Sequence, residues 1–279
     1  MACATLGRKC KSSSRHGELA RAARKLKHLI ITGDDFGRSH EVNEAIERAH
    51  EAGFLTQASL MVNESCAEEA VRIAQRHPAL CVGLHLTLCD GRASAVSAIT
   101  DASGAFVSSP ARAGMRYAFQ PSLAGPLQQE IHAQFERFGA LGLLPTYWDG
   151  HTHLHLHPTL FRLALPVAAG HGFHAIRLVR EPGRWALVPR IFEWLSRAAI
   201  PALKRHNIHF ADHTYGLRDT GRISTDVVRG MLKALPDGLS EFYFHPGAEP
   251  GELDYSALLA LLTEREIKLR TSLPPPAAR

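Results

Sequence analysis

The feature that most constrains this chain is a repeated switch between two kinds of segment. Short apolar, β-branched runs end in glycine, aspartate or histidine, and longer stretches with apolar residues at helical spacing follow them. His28-Leu29-Ile30-Ile31-Thr32 is the first such run, and its near-continuous hydrophobicity is that of a parallel strand covered on both faces. It runs into Gly33-Asp34-Asp35-Phe36-Gly37. Ser39 then caps a helix carrying Val42, Ala45, Ile46 and Ala49, which Gly53 closes. The same alternation predicts strands over 56–62, 81–88, the segment entering Trp148, 175–179, 208–210, 241–245 and 267–272. Helices are predicted over 64–76, 122–141, from Pro158 onward, and over 185–205, 225–235 and 254–264. Residues 89–120 are rich in Gly, Ala and Ser with little periodicity, and are read as a long lid or substrate loop. The alternating series predicts a single-domain α/β fold, a (β/α) barrel of about seven strands whose site lies at the carboxyl ends of the strands. No G-x-G-x-x-G follows the first strand and no G-x-x-x-x-G-K-S/T occurs, which argues against a dinucleotide or P-loop fold.

The chemically capable residues fall on that predicted rim. Asp34 and Asp35 follow the first strand, His85 lies late in the third, and His245 ends a late strand. Between them stands Trp148-Asp149-Gly150-His151-Thr152-His153-Leu154-His155-Leu156-His157-Pro158. Imidazole is the commonest protein ligand for a divalent metal. On an extended segment, alternation would point His151, His153, His155 and His157 the same way. Pro158 suits the first turn of a following helix, so the histidines mark a strand-to-helix junction rather than a tag. Arg177 in an apolar strand is costly to bury unless it meets carboxylates, so it is expected to face the site acids.

Charge and cysteine content narrow the classes further. The net charge is +5, but residues 1–28 hold eight basic residues against Glu18. Removing these from the chain's 32 basic and 27 acidic residues leaves 24 against 26, so the body is slightly acidic and a nucleic-acid-binding fold is not expected. Residues 1–27 read as a basic, disordered arm with a short helix allowed from Glu18 to Lys27, residues 28–272 as the barrel, and 273–279 as a tail. The arm lacks the apolar core of a secretory signal. Five cysteines without a C-x-x-C pair fit a reducing cytoplasm.

Thr32-Gly33-Asp34-Asp35-Phe36-Gly37, Val82-Gly83-Leu84-His85-Leu86, Asp149-Gly150-His151-Thr152-His153-Leu154-His155 and Phe244-His245-Pro246 occur in this order. Together they resemble the YdjC-like carbohydrate deacetylase family over about residues 28–272, and more narrowly its hopanoid-biosynthesis-associated members. The resemblance implies a distorted (β/α) barrel that removes acetyl groups from N-acetylated sugars. It also implies a metal held by Asp35, His85 and His151, with Asp34 as the base. Gly33 departs from the family pattern, where alanine is usual, and is expected to loosen the turn slightly.

Amide hydrolysis needs a nucleophile at neutral pH, a stabiliser for the oxyanion and a proton for the departing amine. A divalent ion with open positions meets the first two needs. His245 is the candidate acid, Arg177 would orient Asp34, and His153 and His155 would touch substrate or support the ligands. Two histidines and a carboxylate suit zinc by ligand preference, whereas the resemblance points to magnesium, so magnesium is placed first and zinc second.

The narrower resemblance implies N-acetylglucosamine carried on a hopanoid lipid. With it comes a location in the cytoplasm or at the inner face of the membrane, touched peripherally through the arm or the apolar-and-basic stripe of 185–205. The alternatives are deacetylation of free chitooligosaccharides, a metal-independent glycoside hydrolase with two carboxylates ~5–9.5 Å apart, and a histidine-rich metal binder without catalysis. A homodimer is compatible with the sequence, which does not fix the oligomeric state.

Overall fold

The structure, a computed structural model, describes residues 26–182 and 187–273. The arm up to residue 25, Trp185 and the tail from 274 lie outside the described residues. Strands β1 (Lys27–Phe36), β2 (Gln57–Leu60), β3 (Cys81–Leu86), β4 (Tyr147–Gly150), β5 (Ala175–Ile176), β6 (His213–Tyr215) and β7 (Gly238–Phe244) are all parallel. Their order is β5-β4-β3-β2-β1-β7-β6, and a short β8 (Lys268–Leu269) pairs with the lower half of β1. Helices α1 (His40–Glu51), α2 (Ala67–Arg76), α3 (Pro110–Phe119), α4 (Ala124–Ala140), α5 (Pro158–Gly170), α6 (Leu187–Arg205), α7 (Thr225–Lys233) and α8 (Tyr255–Glu264) intervene.

The sheet curls into a distorted barrel whose seam lies between β5 and β6. There the ladder shrinks to a few bonds: Ile176 N–H donates to the His209 carbonyl at 2.9 Å, and Thr214 N–H to that of Arg180 at 3.1 Å.

β1 is central, and its alternation explains how the barrel is filled. Leu29 and Ile31 point outward into the main core beneath the helices, each side chain worth about 1.5–3 kcal/mol when fully buried. Ile30 points inward and meets Tyr147, Ala175 and Leu273, an apolar plug at the amino end of the barrel. Above the plug the interior turns polar: Thr32 Oγ1 donates to Glu241 at 3.0 Å, and Asp34 lies one layer higher. Apolar filling closes the bottom, and the buried charged groups begin at Glu241, in register with Ile30, and continue up to the carboxyl rim.

The predicted elements recur with shifted ends, and three expectations need correction. Within 89–120, α3 forms behind a Ser109 cap, burying Ala113 and Tyr117 one turn apart; a buried stripe of two residues in a ten-residue helix is too short to stand out as a period. The preceding loop is no free lid, because Ser94 N–H donates to the buried Glu130 carboxylate at 3.0 Å and Ile99 and Phe106 are buried. The strand expected at 208–210 is one bridge at His209, while β6 lies further on, over His213–Tyr215. The histidine tract is not extended. Residues His151–Leu156 form a tight 3₁₀ segment in which Thr152 and His153 take left-handed φ of 54° and 59°, so the four imidazoles point in different directions.

Gly33 has a packing reason. A Cβ there would come within 2.7 Å of Leu55 Cδ1 and 3.0 Å of Ile46 Cγ1, so larger neighbours already fill the space of the missing methyl.

Candidate metal centre

Two consecutive residues on a strand point to opposite faces, yet both carboxylates at the end of β1 reach the site. The register between β1 and β2 slips between Gly33 and Phe36, and Asp35 takes a left-handed φ of 65°. Such an irregularity re-aims a side chain, and aspartate tolerates the conformation better than most residues. Asp34 therefore points into the barrel while Asp35 swings over the rim. The turn is held by Gly37 N–H donating to the buried Asn43 Oδ1 at 2.7 Å.

Asp35, His85 and His151 come together, with donor atoms within 4.8 Å of one another. Asp35 Oδ1 lies 2.9 Å from His151 Nδ1 and 3.4 Å from His85 Nε2. All three atoms are buried and none makes a hydrogen bond of acceptable geometry. Buried polar atoms are nearly always paired, so three unpaired lone-pair donors converging on one point fit a cation. His85 is oriented for this: its Nδ1–H donates to Asp149 Oδ1 at 2.6 Å, leaving Nε2 free toward the shared point. A second grouping, Asp34, His85 and Asp149, fits less well because its oxygens are engaged by Arg177 and by His85.

The charge balance points the same way. Asp34, Asp35, Asp149 and Glu241 are all buried, and Arg177 is the buried guanidinium among them. Burial opposes ionisation of Asp35, but the facing His151 and His85 rings outweigh it and hold the carboxyl well below the usual carboxylate range. Burial alone would depress the His85 imidazole, yet the carboxylates of Asp149 and Asp34 push it up to about 10. The site draws positive charge to the very position where the three donors meet.

Arg177, one residue beyond β5, is the hub beneath. It donates from Nη1 and Nη2 to both oxygens of Asp34 at 2.7 and 2.9 Å, and from Nε to Glu241 at 2.8 Å. Nη1 also lies 2.9 Å from Asp149 Oδ2, and the guanidinium sits 4.5 Å from the Tyr243 ring centre. Ser59 Oγ donates to the same Asp149 oxygen at 2.8 Å. Asp34 is thus locked in one orientation by a two-pronged pair.

The other predicted residues separate. His153 lines the cavity above the site, with Nε2 at 2.7 Å from the Tyr243 hydroxyl. His155 is turned into the core, where Nε2–H donates to the Arg177 carbonyl at 2.9 Å, so it supports the hub's backbone. His245 borders the cavity together with Asp34 and His151. Burial works against its protonation, but Glu249, with Nδ1 to Oε1 at 3.7 Å, and the charges of Asp34 and Asp35 raise it above the usual histidine value.

Asp149, Glu241, Glu249, Arg38 and Asp90 received no role from the sequence. Asp149 and Glu241 were detectable by the reasoning that singled out Arg177, since each is an acid in an otherwise apolar strand. Arg38 contacts Asp35, three residues before it, at 3.3 Å, and meets Asp90 at 3.0 Å only because the fold brings their two loops together.

The chain is 40% identical over 136 residues to a carbohydrate deacetylase of Geobacillus stearothermophilus, covering 48% of this chain and 53% of that protein. It thus spans about half the length of the first bacterial relatives it matches. A carbohydrate deacetylase of Mus musculus is 34% identical over 244 residues, covering 78% of this chain and 77% of that one. A crystal structure from Enterococcus faecalis V583, named as a candidate cellobiose-phosphate cleavage protein, superposes with a TM-score of 0.64 at 20% identity. It covers 88% of this chain and 97% of its own, and shows the same fold. The model of the YdjC-like protein family matches residues 28–272, the whole described barrel except its two ends, and the chain belongs to that family.

Proposed function

We propose that this chain hydrolyses the acetamide of an N-acetylated amino sugar, using one divalent ion held by Asp35, His85 and His151. The observation that carries this reading is the convergence of three unpaired buried donor atoms beside an aspartate locked by arginine. The relatives named as carbohydrate deacetylases support it. A bound ion would supply Lewis-acid polarisation of the acetyl carbonyl and a lowered pKa for water; magnesium is placed first and zinc second.

The chain's own residues do the rest. Asp34, aimed into the cavity, takes the proton from the attacking water. Arg177 holds both Asp34 oxygens, fixing their direction. His245, kept protonated above the ordinary histidine range by Glu249 and the site carboxylates, donates its proton to the departing amine nitrogen. His153 contacts the sugar from the cavity wall, and Asp149 keeps the His85 ring in the tautomer that presents Nε2.

The substrate is read as a lipid-linked N-acetylglucosamine, with a hopanoid as the apolar part. The cavity supports this. It has a volume of about 670 Å³ and reaches from Asp34, His151 and His245 outward between α3 and α6. Its outer walls are Leu154, Val188, Ile191, Phe192, Leu195 and Leu217. A hydroxyl-rich oligosaccharide would leave its polar groups unpaired against aliphatic walls, whereas a hydrocarbon gains ~25 cal/mol for each Å² it buries.

Acetate release from a glycolipid bearing N-acetylglucosamine and from free chitooligosaccharides tests the assignment. The glycolipid is expected to show kcat/KM about tenfold higher or more, since each 1.4 kcal/mol of apolar contact is a factor of ten. Equal efficiency on free chitooligosaccharides would remove the lipid-linked substrate.

A further inference from the structure

The apolar lining of the cavity does not stop at its mouth. On α6, Leu187, Ile191 and Trp194 lie at i, i+4 and i+7, and they are 74%, 47% and 65% exposed. On α3, Ala111, Met115 and Phe119 form an i, i+4 row; Ala111 lines the cavity, while Met115 and Phe119 are 60% and 82% exposed. Among the described residues nine large hydrophobic side chains are exposed, and six of them stand on these two helices. That concentration around one opening sets the region apart from scattered surface hydrophobes.

Its charge has one dominant sign. α3 carries Arg112 and Arg116 and no acid. α6 carries Arg190, Arg197, Lys204 and Arg205 against Glu193 alone, and Glu193 is bonded to Arg197 at 2.7 Å. The helix is anchored from its other side, where Ser196, Ala199 and Leu203 are buried and Ser196 Oγ donates to the Val179 carbonyl at 3.1 Å. Its exposed row is therefore surplus to the packing of the barrel.

We infer that these two helix rows form a docking face that seats the cavity mouth on an anionic phospholipid surface. Exposed aliphatic and tryptophan side chains ringed by arginine match the boundary between acyl chains and acidic headgroups. Two copies of the same face would bring like charges together, so charge complementarity selects the lipid surface over a second copy of the chain. The inference rests on the reading of a lipid-linked substrate, because seating the mouth on the bilayer lets such a substrate enter without crossing water.

The test uses the full chain and vesicles of phosphatidylcholine with or without phosphatidylglycerol. The paired substitutions Leu187→Ser with Trp194→Ser, and Met115→Ser with Phe119→Ser, fall outside the cavity lining. Each pair is expected to lower partitioning onto the anionic vesicles about tenfold or more, while kcat/KM on a water-soluble N-acetylglucosaminide stays unchanged. Vesicles should also shift the tryptophan emission of the unsubstituted chain to shorter wavelength, and Trp194→Phe should remove most of that shift. Undiminished vesicle binding in both paired variants overturns the docking face. So does a concentration-dependent dimer that the same substitutions dissolve, or a chain that ignores anionic vesicles. Vesicle binding lost in the paired variants, together with equal turnover of free chitooligosaccharides, would keep the face and remove only the lipid-linked substrate.

Discussion

Asp34→Asn is expected to lower turnover by about 10²–10⁴-fold, the usual contribution of a positioned general base, while the protein still binds one divalent ion. The substitution keeps the shape of the side chain and an oxygen that can accept from Arg177, but an amide cannot take a proton from water. Folding should survive it. Arg177 faces three buried carboxylates, Asp34, Asp149 and Glu241, and neutralising one of them relieves like-charge crowding. Asp35→Asn should act differently, losing ion and activity together because it removes a charged ligand. Metal content and acetate release measured on both variants check the pair. If Asp34→Asn loses the ion while Asp35→Asn keeps it, the two roles are exchanged.

Arg177→Met carries the largest expected effect on stability. The guanidinium is fully buried, and its removal strands those same three carboxylates in a site with little water. Breaking a buried ion network from one side costs about 3–5 kcal/mol, a large share of the ~5–15 kcal/mol that holds a typical domain together.

The loss should depend on pH in a definite direction. Burial already raises the Glu241 carboxyl even with Arg177 beside it. Without the arginine, the folded-state value of Glu241 rises further above its unfolded value, and Asp149, whose burial is at present outweighed by Arg177 and His85, loses much of what holds it low. The penalty is then complete at pH above the folded values and is relieved as pH falls through them, when the folded state takes up protons first. Denaturant unfolding of both proteins at neutral and mildly acidic pH should show the gap narrowing in acid. A gap independent of pH would mean that lost packing, not stranded charge, is responsible.

Much of this arrangement is legible in the sequence. Leu29 to Ile31 read as a doubly covered strand, and the repeated strand-helix alternation placed Asp34, Asp35, His85, His151 and His245 at one end of the barrel. Arg177 demanded acidic partners, and the fold supplies three. What stayed hidden depended on backbone detail that side-chain patterns do not carry. Alternation predicted that the histidines of 151–157 share a face, but left-handed Thr152 and His153 coil the segment and scatter them. The slip in β1 at Gly33–Phe36, which lets Asp34 meet Arg177 while Asp35 meets His85 and His151, has no counterpart in hydrophobic periodicity. α3 escapes the pattern because its buried stripe is only Ala113 and Tyr117, two residues in a single ten-residue helix. With it went one wall of the cavity, on which the substrate proposal rests.

Metal held by Asp35, His85 and His151 is proposed to drive removal of an acetyl group. The most direct test is acetate release from an N-acetylglucosamine substrate by the protein as isolated, after chelation, and after a divalent ion is restored. The account predicts acetate with no new reducing end, loss of release to background on chelation, and recovery on adding back magnesium or zinc. Full activity after the ion has been stripped, or new reducing ends without acetate, would contradict it.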